Sequence, residues 1–155
     1  MASFKDINDK TWELRLVIAH LAKLRAVGFD LDQYTADGAG LFKLLALPPE
    51  TLGSVLWVLC EKQADAAGVT ADDFAERFDG NVIDAAGLAL VDAVIDFFPF
   101  PGSAPGKVKL KDAARKSWAE AGSRAVEEID RLMKGLGSND SAGNSPAKSE
   151  SIPAS

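Results

Sequence analysis

The chain has 155 residues, with 17 basic and 23 acidic side chains and a formal net charge of −6. This length suits one domain with a real hydrophobic core, and the negative charge argues against nucleic acid or an anionic membrane as the main partner. Three aspartates interrupt the longest apolar stretch, residues 82–100, and each would be costly at membrane depth.

The cysteine content and the N-terminal segment of the chain indicate the same cellular compartment. Cys60 is the single cysteine and cannot form an internal disulfide, which suits a reducing compartment. The first ten residues, MASFKDINDK, lack the apolar segment of a signal peptide. We therefore expect a cytoplasmic location.

A strand pattern opens the chain. Trp12, Leu14 and Leu16 alternate with charged residues, which is the period of a half-buried strand. The polar segment before them can turn, so the sequence predicts a hairpin in which residues 3–6 pair with residues 11–17. An isolated hairpin is marginal in water, and this one must pack on the helices.

Helical spacing of apolar residues follows, and it predicts helices over residues 18–27, 41–47, 49–67, 71–78 and 81–98. Gly28 and Gly68 are placed to end the first and third of these helices. Thr70 and Asn81 are placed to cap the last two. The third helix is expected to be central, because Trp57 widens its apolar stripe. That stripe consists of Leu52, Val55, Leu56, Leu59 and Cys60.

Three phenylalanines surround the end of the last of these helices. Phe98 precedes Pro99, and a residue before proline is driven away from helical angles, so the helix is predicted to end there. Phe97, Phe98 and Phe100 then form an aromatic corner. The corner is interpreted as a hydrophobic plug at the helix end, with an exposed partner-binding site as the alternative.

The C-terminal third differs in composition. Residues 101–109 are rich in proline and glycine and predict a stiff linker, followed by a helix over residues 110–135 that Gly135 would terminate. Residues 136–155 are mostly small and polar and are predicted to be disordered. A narrow apolar stripe runs along this helix, with the spacing that lets another helix approach closely. Its members are Trp118, Gly122, Ala125, Ile129 and Leu132.

The residues that carry chemistry are few. His20 is the only histidine and is interpreted as structural or surface-exposed, and Cys60 as a buried, inert thiol. Asp84, Asp92 and Asp96 are interpreted as a solvated face rather than a metal site. No phosphate-binding glycine motif occurs. The sequence therefore predicts no catalytic residue, metal or cofactor.

A cluster of basic residues follows the linker. It is interpreted as a solubilising helix start rather than a nucleic-acid contact, with an acidic protein partner as a further possibility. The cluster comprises Lys107, Lys109, Lys111, Arg115 and Lys116.

Two segments carry a family resemblance. The first is FKDINDKTWELRLVIAHLAKLRAVGFDL, a hairpin that runs into a helix and leaves through GFDL. The second is LPPETLGSVLWVLCEKQADAAGVTADDFAERFDGNVIDAAGLALVDAVIDFFP. Together they cover about residues 4–100 and resemble the tail assembly chaperones of tailed phages, small proteins encoded near the tape-measure protein. None of these segments is a catalytic motif.

The resemblance implies a non-enzymatic helper in the host cytoplasm that binds the tape-measure protein and keeps it soluble during tail assembly. A helical partner would lie against an apolar stripe or groove. The candidate partner-binding residues are Phe97, Phe98, Phe100, Trp118, Ala125, Ile129 and Leu132; no oligomeric state is specified. The stripe could also pack on its own core. Alternative functions are a structural subunit of the phage tail or head-tail connector, and an enzyme that pairs His20 with a carboxylate.

Overall fold

The computed structural model describes residues 2–35, 38–98 and 104–144. Its contacts divide the chain into two units, Met1–Lys116 and Ser117–Ser155. The elements are the strands β1 (Ala2–Lys5) and β2 (Thr11–Leu14), the helices α1 (Ile18–Ala26), α2 (Asp32–Thr35), α3 (Gly38–Lys43), a 3-10 turn (Leu44–Ala46), α4 (Pro49–Ala67), α5 (Ala71–Ala75), α6 (Gly80–Phe97) and α7 (Ala104–Asn144). The predicted fold class, mainly helical with an N-terminal hairpin, is confirmed.

The hairpin is antiparallel and buries one face. Phe4 pairs with Trp12, and Ala2 pairs with Leu14; all four side chains are buried. Strand β2 is shorter than predicted, because its described partner strand begins at Ala2 and the ladder stops at that pair. Gln63 of α4 clips the outer edge of β2, since its amide group donates to the carbonyl oxygen of Glu13 at 2.6 Å and accepts from its N–H at 3.0 Å.

Helix α4 begins and ends where the sequence predicts. Pro49 occupies its first turn, where no amide donor is needed, and Gly68 ends it in the left-handed conformation with φ of 71°. The predicted stripe of Leu52, Val55, Leu56, Leu59 and Cys60 is entirely buried. Trp57 is only half-buried, so the part of the apolar face of α4 that Trp57 provides is not fully covered by other elements.

In the middle of the chain, the bounds and caps of some helices differ from the predicted ones. The predicted helix over residues 41–47 is α3 plus a 3-10 turn, and the short α2 was not predicted. Thr70 caps α5 as expected, with its hydroxyl accepting from the N–H of Asp73 at 3.1 Å. The cap of α6 is Asp79 instead of Asn81, because the Asp79 carboxylate accepts from the N–H of Val82 at 2.9 Å. A carboxylate at that end also interacts favourably with the helix dipole.

The last helix is longer at both ends than the sequence indicates. Helix α7 starts at Ala104, within the predicted linker, because Pro105 falls in its first turn, where proline is tolerated. Helix α7 also continues through Gly135 to Asn144. Gly135 is not among the glycines with positive φ, so it does not form the left-handed stop. The predicted tail therefore begins with helical backbone, and residues 145–155 lie outside the described residues.

Among the helices in the described part of the chain, none is by itself long and apolar enough to cross a bilayer. A bent pair, Gly40–Ala46 with Pro49–Ala67 at 106°, meets the length and composition requirements together.

Candidate functional site: an apolar cleft beside the central helix

An open apolar cleft lies within the first unit, between α4 and α5. We call it the α4–α5 cleft; its volume is about 510 Å³. Val27, just after α1, and Ile83, in the first turns of α6, complete its wall. Val27 is 50% exposed. Most of the other lining residues are apolar and come from α4 and α5, including Leu52, Gly53, Trp57 and Phe74, and Phe78 joins them from the segment after α5.

Aromatic rings in edge-on contact form the floor of the cleft. Phe74 is 2% exposed and contacts Trp57 and Phe78 at ring-centroid distances of 5.4 and 5.0 Å, both edge-on. On the side of the floor that faces the hairpin, Phe74 contacts Trp12 at a ring-centroid distance of 5.0 Å, and Phe78 contacts Phe4 at 5.5 Å. Edge-to-face pairs hold rings in fixed orientations. The cleft is therefore preformed by the core beneath it.

A glycine on α4 keeps the cleft open. A Cβ atom added at Gly53 would meet no heavy atom within 4 Å, so the space above it is free. Glycine inside a helix costs up to about 1 kcal/mol relative to alanine. The polar side chains in the lining are Glu50 and Ser54, which gives the apolar surface one acidic edge.

The hairpin turn braces the α5 wall of the cleft through a buried carboxylate. Asp6 is 4% exposed and accepts hydrogen bonds from the indole N–H of Trp12 at 2.9 Å and from the backbone N–H groups of Asn8 and Lys10 at 2.8 and 3.0 Å. The guanidinium of Arg77, just after α5, lies 3.1 Å from the same carboxylate. The backbone N–H of Ile7 also donates to the Arg77 carbonyl at 3.2 Å.

The titration of Asp6 reflects this arrangement. Burial on its own would raise the pKa of Asp6, but the hydrogen bonds from Trp12, Lys10, Arg77 and Asn8 outweigh it and hold the pKa below its ordinary value. The carboxylate is thus charged at neutral pH and fixes the turn against the end of α5.

The aromatic corner predicted at the end of α6 is turned inward. Phe97 and Phe98 are half-buried and pack against the hydrophobic core, with their rings edge-to-face at 5.0 Å. This geometry agrees with the interpretation as a hydrophobic plug. Phe100 lies outside the described residues.

The stripe predicted on the last helix lies in the second unit. Ile129 and Leu132 are 57% and 59% exposed, Ala125 is exposed and Trp118 is partly buried. The stripe belongs to the second unit, whereas Phe97 and Phe98 belong to the first. Phe97 and Phe98 do not line the α4–α5 cleft of that unit.

Two of the three carboxylates of α6 form ion pairs with the basic cluster of α7 inside the first unit. Arg115 lies 2.6 Å from the Asp92 carboxylate, and Lys111 lies 2.7 Å from that of Asp96. Burial raises the pKa of Asp92, although Arg115 and Lys111 oppose the rise. These contacts show that part of the basic cluster pairs within the chain. Asp84 is exposed.

The remaining chemical groups hold structural positions. The ring Nδ1 of His20 accepts from the backbone N–H of Val17 at 3.2 Å at the start of α1. Burial and the nearby Lys23 and Lys62 lower the His20 pKa. Burial raises the pKa of the Cys60 thiol to about 12, which leaves it protonated and unreactive. Within residues 2–35, 38–98 and 104–144, no group of three or more potential ligands is placed to hold a metal ion.

Comparison of the chain with protein-family models, curated proteins and solved structures returned no match. The interpretation of the cleft therefore depends on its own geometry. Sequence reasoning did not identify the cleft as a site, although Trp57 outside the buried stripe and Gly53 within the same helix were visible signals of it.

Proposed function

We propose that the protein is a non-enzymatic binding protein that receives an apolar helical segment of another protein in the α4–α5 cleft. The observation that carries the proposal is the preformed cleft of about 510 Å³ with an aromatic floor. The resemblance of residues 4–100 to tail assembly chaperones supplies the particular role: the partner is a phage tape-measure protein, which is kept soluble until the tail tube assembles around it.

The dimensions of the cleft favour a helix as the occupant. Its volume accommodates roughly three or four large apolar side chains, the number that an amphipathic helix presents at i, i+3 or i+4, and i+7. The cleft runs beside α4, so a docked helix would pack against it in the manner of one more helix of the domain. Trp57, half-buried and in contact with Phe74, has the size and rigidity of an interface anchor.

Charge restricts the partner further. The first unit, residues 1–116, contains seventeen acidic and thirteen basic side chains, and Glu50 stands in the cleft lining. An apolar helix with basic residues beside its apolar face would therefore be attracted, and an acidic one repelled. Association should weaken as the salt concentration rises, because the exposed charges are screened.

The test is to fill the cleft without disturbing the core. Gly53→Leu places a side chain into open space and raises helix propensity, so the domain should stay folded. The matched control is Ala66→Leu, at an exposed position of the same helix outside the cleft lining. Each variant is co-expressed with the proposed partner, a phage tape-measure protein, and the soluble fraction of that partner and its co-purification are measured.

We expect Gly53→Leu to abolish co-purification and to leave the tape-measure protein insoluble, while Ala66→Leu behaves as the unmodified chain. If Gly53→Leu folds and still solubilises the partner, the cleft is not the binding site. If the unmodified chain neither binds nor solubilises the tape-measure protein, the chaperone role itself is wrong. Stoichiometric presence of the chain in purified phage particles would favour a structural subunit.

A further inference from the structure

Helix α7 has an exposed apolar face in the second unit, and binding in the α4–α5 cleft does not account for it. We call it the α7 face; it consists of Trp118, Gly122, Ala125, Ile129, Leu132 and Leu136, with Val126 and Met133 beside it. Val126, Ile129, Leu132, Met133 and Leu136 are between 57% and 65% exposed. Large apolar side chains gathered on one exposed helix face mark an interaction surface.

The spacing of the face is that of a coiled coil. Its six members follow one another at intervals of four, three, four, three and four residues, which is the 3.5-residue repeat of two helices that wind around each other. In heptad terms, Gly122, Ile129 and Leu136 occupy a positions, while Trp118, Ala125 and Leu132 occupy d positions. The face calls for a second helix of the same repeat.

We propose that the α7 face pairs with the α7 face of a second copy of this chain, in an antiparallel coiled coil. In that orientation each a position faces a d position of the other copy. Gly122 then lies opposite Leu132, and Ala125 opposite Ile129. Each small side chain of the four inner layers meets a large one, so these layers have similar volume and can pack at interior density, while Trp118 lies opposite Leu136 at each end.

The parallel orientation lacks this match. It would set Gly122 against the second copy's Gly122 and Ala125 against the second copy's Ala125, which leaves two adjacent layers underfilled. It would place Ile129 and Leu132 against their own equivalents in the next two layers. The small residues at one end of the face and the large ones at the other therefore favour opposed helices.

The size of the surface indicates a weak dimer. The exposed apolar residues of the face have a solvent-accessible surface on the order of 500 Å² per copy. Pairing therefore buries about 1,000 Å² in total over the two copies, which is near the lower limit for a specific interface. The face also spans fewer than three heptads. We therefore expect association that depends on concentration.

The first experiment measures the mass of the full chain by sedimentation equilibrium over roughly a hundredfold range of concentration. We expect a monomer–dimer equilibrium that Leu132→Glu weakens by at least about tenfold, because it opposes a charge to Gly122 and buries it among apolar groups. The matched control is Ile18→Glu, at a 77% exposed apolar residue of α1, which should leave the equilibrium unchanged. A chain that stays monomeric throughout, or a dimer that Leu132→Glu does not weaken, overturns the proposal.

The second experiment measures the orientation with spin labels on introduced cysteines. Cys60 is buried and protonated, so the label reacts at the new thiol. With Glu120→Cys, antiparallel helices separate the two labels by about 21 Å along the axis, whereas parallel helices place them level. Glu127→Cys is the control, since its labels are level in both alignments. Two short distances would show a parallel dimer and refute the antiparallel pairing.

The alternative to self-pairing is that the α7 face binds a different protein. If the chain stays monomeric alone and the Leu132→Glu variant loses binding to the tape-measure protein while Gly53→Leu keeps it, the α7 face is a partner site and self-pairing is wrong. That outcome would also refute the α4–α5 cleft as the binding site, although the chaperone role would stand. A monomeric chain whose partner binding is lost in Gly53→Leu but kept in Leu132→Glu would refute self-pairing alone, so the two proposals can be distinguished.

Discussion

Helices α4 and α7 carry apolar stripes of similar spacing, yet one stripe is buried and the other is exposed. In α4 the residues Leu56 and Cys60 are 0% exposed, because the hairpin, α1, α5 and α6 pack around that helix. In the second unit Ile129 and Leu132 remain more than half exposed. Periodicity thus defines which face of a helix is apolar, while the other elements of the fold decide whether it is covered.

The largest expected effect comes from shortening the same residue type in the two stripes. Leu56→Ala removes a fully buried side chain and should lower the free energy of unfolding by about 2–5 kcal/mol, since it leaves a cavity. Leu132→Ala, at a 59% exposed position, should change it by no more than about 0.5 kcal/mol in dilute solution. Urea unfolding followed by circular dichroism measures both. Equal losses would mean that the α7 face is covered within the monomer.

The cover over α4 depends in turn on the buried carboxylate of the hairpin. Asp6→Asn keeps the size of the side chain but removes the charge that holds Trp12 and Arg77, and we expect a loss of about 2–4 kcal/mol. The control is Asp9→Asn in the same turn. Asp9 is exposed and has φ of 65°, which asparagine adopts readily, so its stability should hardly change.

The pH dependence of this pair has a definite sign. The folded-state pKa of Asp6 is lowered from 3.8, so the unfolded chain binds its proton first. The stabilisation is present above the unfolded value and is lost as the pH falls through the folded one. The difference in unfolding free energy between the unmodified chain and Asp6→Asn should therefore shrink below about pH 3.8. A difference that stays constant down to pH 2 would show that Asp6 contributes by shape alone.

Much of the fold was predictable from the sequence, because its signals are local. The bounds of α4, the left-handed Gly68 and the Thr70 cap follow from residues within a few positions of each other. The α4–α5 cleft was not predictable in this way. It depends on the distance between α4 and α5 and on the ring contacts behind Phe74, which join residues more than sixty positions apart. For the same reason, the sequence identified the α7 stripe but not its exposure.

Substituting one glycine of each helix by alanine has the smallest expected effect on stability. It distinguishes a glycine that ends a helix, Gly68, from one that lies inside a helix, Gly135. Gly68 ends α4 with φ of 71°, where a Cβ atom is strained, so Gly68→Ala should cost about 1 kcal/mol. Gly135 lies inside α7 with open space around it. Gly135→Ala should therefore stabilise the helical state by up to about 1 kcal/mol, the difference in helix propensity, and so raise the helix content. The first is measured by urea unfolding and the second by far-ultraviolet circular dichroism at low concentration. A loss of helix in Gly135→Ala would mean that α7 ends at Gly135, because only a left-handed glycine is harmed by the added methyl group.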